Sequence, residues 1–318
     1  MNKLTVGQHP HIRSNQNTKD IMLDVIIALL PCIIAGLLIF GYRSVVILAI
    51  AVISAVFFEW IACKIFKMKS SIWDLSAVVS GIILTMNLPA SVPLWIPIVG
   101  SLFMIVIIKM CFGGLGRNFI NPAAGARVFL VASFPVIMTH FVAPGARLGL
   151  WSVDAVSSAT PLGIAAMGEN LDLLPSYLSL YFGNIGGCIG ETSALAILIG
   201  FVYLMWRRVI SWEVPAIYVG TVAILALIFG RDPLFHVLSG GLLFGAVFMA
   251  TDYTTSPLSK IGRIIFAFGL GLMTIAIRLW GGYPEGVCLS IILMNVVVPY
   301  LDKIKPKRFG AKTLMNNE

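Results

Sequence analysis

The residues best suited to chemistry lie in one polar stretch, Asp154-Ala155-Val156-Ser157-Ser158-Ala159-Thr160, followed by Pro161-Leu162-Gly163. Ser157, Ser158 and Ala159 are small, so a modifying enzyme can grip the strand and reach the Thr160 hydroxyl. Pro161 pushes the residue before it towards extended conformations, which presents that hydroxyl. Such a group can accept a phosphoryl ester. The plainer alternative is a Ser/Thr-rich loop leading to a helix capped by Thr160, with Pro161 at its first position.

A second set of candidates is ionisable and sits in or beside long apolar runs: Glu59, Asp74, Glu191, Glu213, Asp252, Arg127 and Arg278. Charge at such depth is costly enough that each is a functional hypothesis. Glu59 is one helical turn from Lys64, which predicts an interfacial ion pair. Asp74 and Glu213 begin apolar runs, where a carboxylate favours the helix N-terminus. Asp252, Asn87 and Glu191 remain as candidates for a cation path, Glu191 lying among Gly186, Gly187, Gly190 and Thr192. Arg127 suits a phosphate, a ring carbonyl or a neighbouring carboxylate. Cys32, Cys63, Cys111, Cys188 and Cys288 show no C-x-x-C spacing, and His9, His11, His140 and His236 no ligand spacing, so no metal site is expected.

The elements that position these residues are membrane spans. Apolar residues make up 58% of the 318, charged ones 11%, and mean hydropathy is +0.95, far from the quarter charged of soluble domains. Ten runs can be placed, at 21–39, 44–63, 72–88, 93–111, 122–141, 187–206, 212–230, 234–251, 262–280 and 285–302. The expected fold is all-α, a polytopic membrane protein of about ten helices in two inverted five-helix halves with broken helices. A segment at 1–20 precedes the first half, 21–141; the loop 142–186 separates it from the second, 187–302; a basic tail covers 303–318. Residues 1–20 lack a leader's pattern, so the first span is expected to be its own insertion signal.

The net charge of +8 does not point to nucleic acid, because the basic residues alternate in short loops. Of 22 Lys and Arg, 17 fall on one side, Arg43, Arg147, Arg231 and Arg278 on the other, and Arg127 inside a span. The positive-inside rule then places both termini in the cytoplasm and the Thr160 loop outside the cytoplasmic membrane.

The third run ends Thr85-Met86-Asn87-Leu88-Pro89-Ala90-Ser91 and the eighth Phe248-Met249-Ala250-Thr251-Asp252, with Ser256-Pro257 beyond. Short, interrupted segments at matching places in two inverted halves are expected to meet as broken helices around a polar or ionic site. Gly113-Gly114-Leu115-Gly116 has no preceding strand, so it is not a dinucleotide loop. It reads as a tight turn before Asn121-Pro122, the alternative being a flavin or quinone contact.

Over nearly its whole length the chain resembles the D subunit of the Rnf complex, the ion-translocating ferredoxin:NAD oxidoreductase, and more distantly the B subunit of the sodium-pumping NADH:quinone oxidoreductase. The resemblance rests on Pro10-His11-Ile12-Arg13-Ser14, on Met22 to Pro31, on Gly113 to Asn118 with Asn121-Pro122-Ala123, on Asp154 to Gly163, and on Phe248 to Asp252 with Ser256-Pro257. It implies covalent FMN on Thr160, with Ser157, Ser158, Ala159, Asp154 and Arg127 as candidate cofactor contacts. It also implies a noncovalent riboflavin, a flavin transferase that modifies the chain, and partner subunits bearing flavin and iron–sulfur centres. Ser158 stands where the acceptor motif often has Gly, and is nearly as small. The chain would then be one station on an electron path coupled to sodium or proton movement, and not the NADH site. The rival readings are an inverted-repeat solute channel without a redox group and a cofactor-free scaffold.

Overall fold

The computed structural model describes residues 17–68, 71–145, 158–167, 174–282 and 285–304. Among them every regular element is a helix, and the apolar helices define a polytopic membrane protein. The first stretch contains α1 (Thr18–Phe40), α2 (Tyr42–Ile65), α3 (Ser76–Met86), α4 (Ile96–Leu102), α5 (Pro122–Ser133) and α6 (Pro135–Met138). Next come α7 (Pro161–Met167) and α8 (Tyr177–Phe182), and then α9 (Ala194–Trp206), α10 (Glu213–Ile228), α11 (Pro233–Leu238), α12 (Leu242–Phe244), α13 (Lys260–Trp280) and α14 (Val287–Leu301). Two π-helices continue α4 and α12, over Phe103–Met110 and Gly245–Met249.

Ten full-length spans do not form among the described residues. Only α1, α2 and α13 are long and apolar enough there to cross a bilayer alone, and six other apolar stretches hold 10–17 residues. Local sequence explains the breaks. The third run stops at Met86 because Pro89 cannot donate to a continuing ladder. Pro135 divides the fifth run into α5 and α6. The eighth is cut at Ser239-Gly240-Gly241, where Gly240 takes φ +65°. At 11 residues α3 is about 16 Å long at about 1.5 Å per residue, half of a hydrocarbon core of about 30 Å.

The broken ends are completed by distant backbone. The carbonyls of Met86 and Leu88 accept from Gly190 N (2.9 Å) and Ile189 N (3.0 Å), and Pro89 forms an isolated antiparallel bridge with Cys188. Asn121 caps α5 by accepting from the amides of Ala123 and Ala124, both at 3.1 Å. Its amide nitrogen Nδ2 donates to the Met249 carbonyl at 3.1 Å, and its backbone N–H donates to Asn295 Oδ1 at 3.0 Å. A polar seam therefore joins α5, the second π-helix and α14, and the loop before α9 completes the end of α3, which satisfies groups that lipid cannot.

Small residues let the long helices approach. Gly200 of α9 lies against the Ala28 carbonyl of α1, and a Cβ at Gly81 of α3 would stand 3.0 Å from the Val52 Cα of α2. The exterior is apolar, with Leu38, Ile53, Val202 and Leu227 exposed, while Asn87, Glu59 and Lys109 are buried. That distribution suits a lipid-facing surface around a polar interior.

Candidate functional site

Several segments converge on Arg127, which projects from α5. Its Nη1 donates to Asn87 Oδ1 at 2.9 Å and to Glu191 Oε1 at 2.5 Å. Its Nη2 donates to Cys188 Sγ at 3.3 Å and to Glu285 Oε2. Asn87 follows the last residue of the broken α3, Cys188 and Glu191 belong to the loop before α9, and Glu285 lies just ahead of α14. Arg127 and Glu191 are 7% and 5% exposed at the side chain, Glu285 23%. A charge-assisted network this dry is strong only because each member has partners. Cys188, Glu191 and Glu285 could place ligand atoms within 4.8 Å of one another, but the guanidinium already fills the position a metal would take.

A cavity of about 190 Å³ opens beside this cluster, with Val128, Val131, Ala132 and Leu289 on its apolar wall and Glu191 and Glu285 on its polar one. Glu191 and Glu285 also line the cleft that holds Thr160, together with Gly186, Thr192 and Gly240. A Cβ at Gly241 would come 2.5 Å from Glu191 Oε1, so only glycine leaves this carboxylate where it is.

Thr160 does cap a helix: its Oγ1 accepts from Gly163 N at 3.1 Å, and Pro161 is the first residue of α7. The hydroxyl remains half-buried at the mouth of the cleft, and Ala159 beside it is exposed. Ser158 N donates to the Phe141 carbonyl at 2.9 Å, which holds the strand against the end of the first helical stretch. Asp154 and Ser157 lie outside the described residues. Nearby, the Tyr177 hydroxyl donates to Asp232, which also caps α11, and that bond pushes the phenol pKa up.

Of the three partners open to Arg127, the structure shows neighbouring carboxylates, Glu191 and Glu285, with Asn87 beside them. Two sequence expectations are corrected. Glu59 does not pair with Lys64: it meets Lys109 Nζ at 2.8 Å across the helix bundle, while Lys64 lies over the Trp60 ring at 3.8 Å. Asp252 does not join Asn87 and Glu191. It accepts from the Thr254 and Thr255 hydroxyls at 2.9 and 3.2 Å and lines a separate cavity of about 90 Å³ with Lys109, Asn118 and Asn121. Asp74 accepts from Ser76 N at 2.9 Å and Glu213 opens α10, both structural positions as expected.

Glu285 and Lys109 were not singled out by the sequence. Glu285 reads as the edge of the tenth run, and Lys109 as one more basic residue on the cytoplasmic side. Their partners stand 158 and 50 residues away, beyond any local pattern.

An all-helical membrane bundle with interrupted helices around a buried arginine cluster defines an integral membrane protein with an internal polar site. Residues 5–310 match the family described as "NQR2, RnfD, RnfE family", and the chain belongs to it. It is 49% identical over 317 residues to the D subunit of the Na(+)-translocating ferredoxin:NAD(+) oxidoreductase complex of Acetobacterium woodii, covering 99% of this chain and 98% of that protein. It is 40% identical to the D subunit of the proton-translocating ferredoxin:NAD(+) oxidoreductase complex of Clostridium ljungdahlii, over 98% and 97% of the two chains. The D subunit of the ion-translocating oxidoreductase complex of an Escherichia coli strain is 32% identical over 96% and 98%.

Proposed function

We propose that this chain is the D-type membrane subunit of an ion-translocating ferredoxin:NAD oxidoreductase complex, and that it carries FMN esterified to Thr160. The supporting observation is the Thr160 hydroxyl itself, half-buried at the mouth of a cleft and next to exposed Ala159. In the transfer, a flavin transferase would join the phosphorus of a flavin dinucleotide to Thr160 Oγ; the bond to the leaving nucleotide breaks and the hydroxyl proton passes to solvent. When bound, FMN would supply one- and two-electron chemistry between partner subunits bearing flavin and iron–sulfur centres.

The remaining assignments concern this chain's own residues. Glu191 lines the Thr160 cleft and is linked to Asn87 through Arg127, while Asp252 faces the other cavity, so the two candidate cation positions are separate stations. Asn118 Oδ1 is buried without a partner in that second cavity, where a noncovalent riboflavin would find an acceptor. Sodium or protons would move between the stations. The two relatives at 49% and 40% identity are named for different ions, the first for sodium and the second for protons. The chain would lie in the cytoplasmic membrane among lipid, with both termini cytoplasmic, the Thr160 loop outside and no nucleic-acid partner.

The test is in-gel fluorescence and intact mass of chain co-produced with a flavin transferase. One FMN is expected, absent in Thr160→Val while membrane insertion persists. Flavin retained by the variant, or no flavin on the unmodified chain, refutes the assignment.

A further inference from the structure

A further cavity, of about 190 Å³, opens where α9 and α14 end and α10 and α13 begin. Contacts between those helix ends fix its walls. The Tyr253 hydroxyl donates to the Val209 carbonyl, Arg263 Nη1 donates to Ser211 Oγ at 3.0 Å, and Leu258 N donates to Asp302 Oδ1 at 2.9 Å. On the measure by which one water needs about 10–15 Å³, there is room for a phosphoryl group and part of what it is attached to.

Arg263 is the charged residue on this wall, and among the described residues no carboxylate lines it. Its guanidinium is poorly satisfied. The Nε atom is buried without a hydrogen-bond partner, and buried polar atoms of that kind are rare enough to call for an explanation. Glu213 Oε2 stands 3.8 Å from Arg263 Nη2, beyond hydrogen-bond reach, while its Oε1 lies 3.2 Å from Lys260. Two cations therefore share one carboxylate. Asp252 is turned to the Thr254 and Thr255 hydroxyls and lines the other cavity, and Asp302 serves the Leu258 amide. With both counted, and apart from the Arg207–Asp24 pair, these helix ends hold Arg208, Lys260, Arg263 and Lys303 against Glu213, Asp252 and Asp302, one cation in excess.

The surroundings say which anion fits. Val209, Ile210, Val214 and Pro257 make much of the wall apolar, and Leu258 is 84% exposed. Trp206, Trp212, Tyr253 and Tyr300 are exposed around the same helix ends, the placement that Trp and Tyr take at a membrane–water interface. A free anion would use only the guanidinium. We infer that this cavity binds an acidic phospholipid, with the headgroup phosphodiester on Arg263 and the start of an acyl chain along the apolar wall. The phosphodiester carries one negative charge and two non-bridging oxygens, which the guanidinium fork can hold together; basic pockets between helices at the membrane surface take such headgroups. The site is independent of Thr160 and of any group attached there.

The test titrates a short-chain phosphatidylglycerol into the full chain in zwitterionic micelles and reads the rise in unfolding temperature, from which an apparent affinity follows. The rise should saturate, and phosphatidylcholine of the same chain length should bind more weakly. Arg263→Gln should weaken phosphatidylglycerol binding by about tenfold, the worth of a hydrogen bond to a charged group. Glu213→Gln removes the carboxylate that competes for Arg263 and should tighten binding by about threefold. A gain cannot come from misfolding, so this second variant decides the matter even where the first folds poorly. Lys303→Gln loses the same charge at the same end but outside the cavity, and should change affinity by less than about twofold. Equal losses in Arg263→Gln and Lys303→Gln, or unchanged binding in Glu213→Gln, overturn the inference. Inorganic phosphate that stabilises the chain as well as phosphatidylglycerol does would also overturn it, leaving a free anion as the occupant.

Discussion

Lys109→Met should be among the most damaging single changes in the bundle, and changing its partner as well should repair it. Lys109 Nζ lies 2.8 Å from Glu59 Oε1 and 2.6 Å from Ser76 Oγ, joining the first π-helix to α2 and α3. The two side chains are 2% and 0% exposed. Removing one partner of such a pair leaves an uncompensated buried charge, a cost of about 3–5 kcal/mol. Glu59 would retain only the Ser71 hydroxyl at 2.6 Å, and its Oε2 already lacks a partner. Replacing both residues, as Lys109→Met with Glu59→Leu, removes the charge and should return stability to within about 1 kcal/mol of the unmodified chain or above it. Lys260→Met is the control: that lysine is 71% exposed and meets Glu213 at 3.2 Å, worth about 0–1 kcal/mol. Unfolding in mixed micelles, titrated with denaturing detergent, measures all four proteins. A Lys109→Met protein within about 1 kcal/mol of the unmodified chain, or a double variant as unstable as the single, would refute the argument.

Other expectations follow from the same geometry. Gly200→Ala should cost about 1–3 kcal/mol by overpacking, because its Cβ would run into the Ala28 carbonyl and stand 2.8 Å from Phe248 Cζ; Gly220→Ala, with nothing within 4 Å, should be neutral or stabilising in the same unfolding assay. Asp252→Asn in a reconstituted complex should keep the Thr160 flavin and subunit assembly. Ion transport and the electron flux coupled to it should fall by about tenfold, the factor that 1.4 kcal/mol of lost cation binding gives; unchanged rates would make Asp252 a structural residue. An impermeant thiol reagent applied to intact cells should label Ala159→Cys and spare Cys111, which is exposed but expected on the cytoplasmic side. The reverse pattern would overturn the topology.

Features written in adjacent residues were legible from the sequence. The start of α7 at the Thr160 segment could be recognised because Pro161 acts locally: Thr160 caps the helix, and its hydroxyl stays half-buried. The helix break at Met86 was legible from Asn87 and Pro89. Helix lengths were not, because hydropathy measures burial in lipid and in protein alike, and α3 and α12 are buried by other helices. Nor could sequence foresee Arg127 with Glu191 and Glu285. The choice between Lys64 and Lys109 for Glu59 shows the limit most clearly, since a neighbour one turn away lost to one 50 residues on.

The pairing of Met86 and Leu88 with Gly190 and Ile189 also bears on biogenesis. When α3 leaves the ribosome, the backbone that completes its end has yet to be made, and about 100 residues must follow. At roughly 5–20 residues per second, that is about 5–20 s. Throughout that interval a half-length helix holds open carbonyls at a depth where lipid offers no donor. The first helical stretch, α1–α6, therefore cannot settle as a finished unit. Its third helix must be sheltered by water or by an insertion factor until the loop before α9 arrives. A chain truncated before residue 186 should consequently be a substrate for membrane quality control, even though all of α1–α6 is present.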